Sequence, residues 1–200
     1  MTVQINYKNS ILKSNSGNLI LFVDEKFNIR GLKKYISNSE FSYISDLLKT
    51  SDLKKDILFF EINSKKTIFL MSIKKDLKTS DIESLGAKFH GYINYDKKSD
   101  YLVNSDTVNS KIENFVGHFL HGLKLKSYEF NIYKSKKEKR IILVNVIGNK
   151  NKISPKNQLR FRALEEGTFF TRDLVSEPGN ILHPDEYAKR INKLKKFGLK

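Results

Sequence analysis

"KTIFLMSIKKDLKTSDIESLGAKFHGY", Lys66 to Tyr92, decides the fold. Its opening run, Lys66 to Ile73, is short, apolar and rich in Ile and Phe, the mark of a buried strand. A few residues on, "SDIE" (Ser80 to Glu83) has capping-box spacing: Ser80 caps a helix start and Glu83 reaches back. The helix it opens is predicted to run to about Tyr92. A strand followed by a capped helix is the unit from which α/β domains are built.

The same alternation continues to either side. Asn18 to Asp24 ("NLILFVD") and Ile57 to Asn63 ("ILFFEIN") read as strands, the second close enough to Lys66–Ile73 to form a hairpin. Asp100 to Asp106 reads as a further strand. Ile112, Phe115, Val116, Phe119, Leu120 and Leu123 recur at helical spacing and mark one face of a helix. Lys139 to Gly148 ("KRIILVNVIG") is a strong buried strand. Ser154 and Pro155 supply an N-cap and an N1 proline, and the helix they open carries Leu159, Ala163, Gly167, Phe170 and Leu174 on one face. Pro178 and Gly179 end it. Pro184, Asp185 and Glu186 open another helix, with Tyr187, Ile191 and Leu194 as its apolar face and Gly198 as its C-cap. The expected architecture is an α/β domain over residues 1–150, a mixed sheet flanked by helices. A helical tail over 151–200 follows, entered through the linker "NKISPKN" (Asn151 to Asn157). The tail's apolar faces are expected to await a partner outside the first domain, leaving the tail weakly anchored. Its last turn reads as the opening of a second domain.

Composition bounds the function classes. The 200 residues hold 39% apolar and 30% charged side chains, a globular balance. Cysteine is absent, which excludes disulfides and thiolate chemistry. The start "MTVQINYKNS" lacks the apolar core of a secretory signal, and no apolar run is long enough to span a bilayer. A cytoplasmic location is the expectation. The net charge of +15 raises the question of a polyanion partner. Yet 31 of the 37 basic residues are Lys, spread along the chain and often next to Asp or Glu. Base readers lean on Arg. The charge reads mainly as the bias of an A/T-rich coding sequence, with weak non-specific nucleic-acid binding as its consequence.

Candidate chemistry is sparse. His118 and His121 lie at i, i+3 on the central helix, a spacing that could serve a metal, but nothing near supplies further ligands. His90 and His183 are isolated. The sequence contains no G-x-G-x-x-G, G-x-x-x-x-G-K-[ST], H-E-x-x-H or G-x-S-x-G. The lysine-rich run Lys134 to Arg140 reads as a solvated hairpin tip. No catalytic, cofactor-binding or metal-binding residue is assigned.

Two strings carry a resemblance. "RDLVSEPGNILHP" (Arg172 to Pro184) resembles the R-D-L-x-N-x-P-x-N-x-x-x-P string of the leucyl, or cytosol, aminopeptidase family, with Arg172, Asp173, Leu174, Pro178, Asn180 and Pro184 in place. Ser176 stands where Asn or Thr is usual. "GLKLKSYEFNIYKSKK" (Gly122 to Lys137) resembles the family's G-x-x-L-x-x-Y-x-F-x-x-Y-K-S-K-K segment through Gly122, Leu125, Tyr128, Phe130, Tyr133 and Lys134. Upstream of about residue 100 the likeness is one of pattern only, and Ser72 to Lys75 ("SIKK") depart from the family's G-L-G-K turn. The resemblance implies a leading α/β domain similar to macro domains and, beyond it, a catalytic domain with two divalent metals, Mn or Zn. It also implies peptide substrates and a hexamer. It places Arg172–Pro184 at the join between the two domains, as a hinge rather than an active site. The alternative is a free-standing macro-like module that binds a nucleotide or nucleic acid.

Overall fold

The structure, a computed structural model, describes residues 2–8, 17–95, 99–135 and 140–198. In chain order it contains β1 (Thr2–Tyr7), β2 (Asn18–Asp24), α1 (Asn38–Leu48), β3 (Ile57–Asn63), β4 (Lys66–Ile73) and α2 (Thr79–Tyr95). There follow β5 (Asp100–Asn104), α3 (Phe115–Lys126), β6 (Ile141–Ile147), α4 (Pro155–Ser176) and α5 (Pro184–Asn192).

Six strands form one sheet in the order β1-β6-β5-β2-β4-β3. All neighbours are parallel except β3 and β4, the hairpin. Alternation along β2 divides the core into two layers. Ile20 and Phe22 face α2 and α3, while Leu19, Leu21 and Val23 face α1 and the turn before it. Phe22 meets Phe115 and Phe119 edge-on at centroid distances of 5.3 and 5.4 Å, and Phe89 meets Phe69 and Tyr101 in the same way. Such edge-to-face pairs add to the burial of large rings.

α2 and α3 pack closer than side chains normally allow. A Cβ on Gly86 would stand 1.9 Å from the Phe119 carbonyl oxygen, and one on Gly122 would stand 1.9 Å from that of Glu83. Each glycine lets the partner helix's backbone into the space its own side chain would fill.

The structure corrects several sequence expectations. β1 and α1 were not anticipated. α1 carries a complete capping box, the Ser37 side chain receiving the Glu40 N–H and Glu40 returning to the Ser37 N–H. Ser80 is not a cap: α2 already begins at Thr79, and Asp81 reaches back to the Lys78 N–H at 2.8 Å, because its shorter arm suits that position. Glu83 is thereby released to meet His118. α2 continues to Tyr95; β5 stops at Asn104 and turns into a 3-10 segment, Ser105–Thr107. α3 starts at Phe115, with Ile112 packed on the core ahead of it. Lys139 and the tip of the lysine-rich run lie outside the described residues.

The largest correction concerns α4. It docks on α3, but not through the expected stripe. Leu159 is 67% exposed, and Ala163 and Gly167 face outward. The docked face carries Phe161, Glu165, Phe169, Arg172 and Asp173, polar groups interleaved with rings. Leu174, from the expected stripe, is buried. α5 buries no residue, and Tyr187 and Ile191 remain exposed.

Candidate functional site

In open α/β sheets, ligand sites lie at the carboxyl ends of strands where successive connections leave on opposite faces. β2 is that point: the chain leaving it passes to the α1 face, whereas the chains leaving β4 and β5 pass to α2 and α3. A crevice therefore opens on either side of its carboxyl end.

The crevice between β2 and β5 is filled by the segment Ser105–Thr107. Thr107 Oγ1 accepts the Phe22 N–H at 2.9 Å. Asp106 Oδ1 accepts the N–H groups of Asn149 and Lys150 at 2.7 and 2.5 Å. Gly148, at φ 118°, brings these amides in; a Cβ there would stand 2.4 Å from Ser105 Oγ. Consecutive N–H groups converging on one point are a common anion seat, and here the anion is Asp106.

Between β2 and β4 lies a cavity of about 610 Å³ lined by Asp56, Ser72, Lys74, Asp81 and Lys88 among others. Asp56 Oδ1 sits 2.7 Å from Lys74 Nζ, and its Oδ2 sits 2.5 Å from Lys88 Nζ. Hydrogen bonds from Lys74 and then Lys88 hold the Asp56 carboxyl below the usual aspartate range, and Asp56 in turn raises Lys74. Asp24, at the end of β2, accepts the N–H groups of Lys26 and Asn28. The seats that would suit an anionic ligand along this edge are thus taken by Asp24, Asp56, Asp81 and Asp106.

The histidines are drawn into packing. His118 Nδ1 meets Glu83 Oε1 at 2.9 Å and His121 Nδ1 meets Glu165 Oε1 at 3.3 Å. Both rings lie against Phe161, whose ring occupies the space above Gly117. The i, i+3 pair therefore divides between α2 and α4 instead of converging. His90 is buried, with no partner for its Nε2; burial, then Lys126, lowers its pKa. His183 is the N-cap residue of α5, through its carbonyl rather than its ring. Among the described residues, no three His, Cys, Asp or Glu side chains are grouped to hold a metal ion.

The two long strings singled out in the sequence meet each other. The Tyr128 hydroxyl donates to Asp173 Oδ1 at 2.7 Å. Arg172 Nη1 donates to the Leu125 carbonyl at 2.6 Å and lies over the Tyr128 ring, 5.5 Å from its centroid. The Tyr133 hydroxyl donates to Glu177, which also receives Arg190 Nη1 at 2.9 Å; Arg190 Nε reaches Glu186 at 3.1 Å. Pro178 ends α4 and its carbonyl accepts the N–H groups of Ile181 and Leu182, closing the turn toward α5. The arrangement fixes α4 to the end of α3 and sets the corner into α5. It holds and orients. Sequence reading missed the Tyr133–Glu177–Arg190 chain, whose only signal is the presence of its members in or beside the two strings.

No family model matches the chain. It is 26% identical over 133 residues to a probable cytosol aminopeptidase of Nitrobacter winogradskyi, covering 62% of this chain and 26% of that protein. Against the Phytoplasma mali protein of the same name it is 36% identical over 116 residues, covering 54% and 22%. Among solved structures, a mutant of tomato leucine aminopeptidase superposes with a TM-score of 0.75 at 16% identity, over 98% of this chain and 42% of that one. The Coxiella burnetii cytosol aminopeptidase gives 0.62, also at 16% identity, over 97% and 38%. The chain thus shares the fold of part of the leucine aminopeptidases, and its matches span about a quarter or less of the curated relatives' length.

Proposed function

We propose that this chain is the leading, non-catalytic portion of a cytosol aminopeptidase, an exopeptidase that releases N-terminal amino acids from peptides. The observation that carries the reading is the junction of the two family-like strings, Tyr128 to Asp173 and Arg172 to Leu125, at the end of an α/β domain with the relatives' fold. On this reading residues 1–150 are a macro-like domain, and 151–200 are the linker helix and the first helix of a catalytic domain. The junction is the hinge that aims one at the other, and the hexamer and cytoplasmic location go with the whole enzyme.

The enzyme's chemistry would come from a pair of divalent metals, Mn or Zn, activating a water and polarising the scissile carbonyl. A neighbour of this fold, a bottromycin maturation enzyme, was solved in complex with Mn. The described residues of this chain do not fit such a centre: their close carboxylates are spent on Lys74, Lys88, Lys66 and backbone amides. No catalytic step is assigned to them.

The alternative, a nucleotide-binding module, draws on the +15 charge. Against it stand the four aspartates that occupy the sheet's carboxyl edge. The deciding experiment compares two proteins: residues 1–200, and the product of the coding region extended beyond residue 200. The longer protein is expected to hydrolyse leucine p-nitroanilide with Mn²⁺ or Zn²⁺ and to lose that activity to a chelator, while residues 1–200 give background. Metal-dependent turnover by residues 1–200, or an extension without metal-ligand motifs, would overturn the reading.

A further inference from the structure

Among the described lysines, only Lys66 and Lys124 are drawn off the surface. Lys66 is buried with its own counter-ion, Glu40, at 2.6 Å. Lys124, near the end of α3, is half-buried without one. Its ammonium donates to the Val3 carbonyl of β1, a neutral acceptor, and no described carboxylate lies within ion-pair distance of it.

Lys124 also lines a groove of about 900 Å³ between β1 and α4. Leu120, one turn earlier on α3, and Phe161 and Phe169 of α4 give the groove apolar walls. The other charged groups that share it are already matched. Glu165 meets His121 at 3.3 Å, and Glu166 meets Arg162 at 2.8 Å. Burial, then Glu165, pushes the Tyr7 phenol up to about 12, so it stays uncharged at neutral pH. Two cations and two carboxylates balance, and the free space between them favours an uncharged guest.

A lysine held off water is neutral more often than one at the surface, because burial disfavours the ammonium. Here burial lowers the pKa of Lys124, and Glu165, pulling the other way, does not cancel the effect. The neutral amine is the nucleophilic form, and desolvation beside apolar groups raises its share. Lys124 combines that state with a place on an open groove.

We propose that Lys124 is a reactive-amine site that takes an uncharged aldehyde with an aromatic or branched aliphatic body. The amine's electron pair attacks the aldehyde carbon; a C–N bond forms and the C=O π bond opens. The nitrogen's two protons pass to the oxygen, which leaves as water, and a neutral imine remains. A proton taken up from solvent makes this an iminium, whose single N–H keeps a donor for the Val3 carbonyl. The body of the aldehyde rests against Leu120, Phe161 and Phe169. The site lies apart from the α4–α5 corner and does not depend on the aminopeptidase reading.

The test treats the 200-residue chain with benzaldehyde and sodium cyanoborohydride at neutral pH. The hydride reduces each imine to a stable secondary amine, and peptide mass spectrometry gives the labelling rate of each lysine. Lys124 should be labelled at least about tenfold faster than the exposed Lys26 and Lys54, since ring contact adds to its larger neutral fraction. Its labelling should reach half its maximum at a lower pH than theirs. The advantage should vanish in urea, where the groove is gone. It should also shrink when glyoxylate replaces benzaldehyde, because a carboxylate loses water against apolar walls. Labelling of Lys124 no faster than of Lys54 would overturn the proposal. So would an advantage that survives urea, which would lie in the local sequence, or one as large with glyoxylate, which would show charge attraction alone.

Discussion

The Tyr128 hydroxyl and the Asp173 carboxylate meet at 2.7 Å across 45 positions of sequence, joining the end of α3 to the end of α4. Burial, then the hydrogen bond to Asp173, raises the pKa of Tyr128, so the phenol stays a donor throughout the working range of pH. Tyr128→Phe deletes the donor and leaves the ring under Arg172. We expect a loss of about 1–2 kcal/mol in the docking of α4, because a charged acceptor loses its partner. Hydrogen exchange over Phe169 to Ser176 should quicken while β6 is unaffected. A double-mutant cycle with Asp173→Asn should show coupling, since the two residues share one bond; strict additivity would contradict the assignment.

Gly122→Ala places a methyl where the Glu83 carbonyl stands. Overpacking of this kind costs about 1–3 kcal/mol or more. Gly91 is a contrasting site on α2, with nothing near its would-be Cβ. Gly91→Ala should be neutral or stabilising by about 0.5–1 kcal/mol. The urea midpoint of Gly122→Ala should fall, while that of Gly91→Ala should hold or rise.

Glu40 caps α1 and pairs with Lys66 at 2.6 Å, with both side chains largely buried. Burial alone would raise its pKa, but hydrogen bonds from Lys66 and the Ser37 N–H outweigh burial and leave it lowered from 4.5. Because the folded value lies below the unfolded one, the stabilisation is fully present above about pH 4.5 and is lost as pH falls through the lower, folded value. Glu40→Gln should therefore destabilise at pH 7 by about 3–5 kcal/mol, as expected when one member of a buried pair is removed. The difference between variant and parent should shrink on acidification. A gap constant from pH 7 to pH 3 would show that the charge contributes nothing.

α5 buries no side chain and is tied to the rest by Arg190 and Glu177. Its amides should exchange far faster than those of β6, since helices draw most of their stability from packing. Glu177→Ala should speed exchange in Asp185 to Asn192 further without altering α4 upstream of Phe169. Slow exchange in α5 of a monomer would show that it docks on the first domain.

Residues whose pattern and role agree were legible in the sequence. The stripe Phe115–Phe119–Leu123 and the residues Ile142, Val144 and Val146 of β6 are apolar because they are buried, so periodicity finds them. α4 was misread because its docked face is not apolar: Glu165, Arg172 and Asp173 are satisfied by His121, a backbone carbonyl and Tyr128, partners that no local pattern announces. β1 escaped because a short strand with Thr2, Gln4 and Asn6 on its other side has little local signal; its place comes from pairing with β6. α1 was within reach, since Ser37 and Glu40 stand at capping-box spacing. Asp56 and Asp106 on the carboxyl edge were not, since each holds lysines or amides that only the fold brings near; Asp24 and Asp81 hold amides within four residues of themselves.

The order of the sheet bears on how the chain is made. Asn6 of β1 touches Asn145 of β6, 139 positions later, and among the described residues β1 pairs with β6 alone. At about 5–20 residues per second, the ribosome delivers β6 roughly 7–28 s after β1. β1 therefore emerges well before the strand that seats it, while β2, β4 and β5 can assemble in the interval. Non-local parallel pairing of this kind is slow and leaves apolar surface open meanwhile. A nascent chain stalled before Ile141 should hold a four-stranded sheet with β1 unpaired, an intermediate whose open apolar surface would suit a chaperone during synthesis.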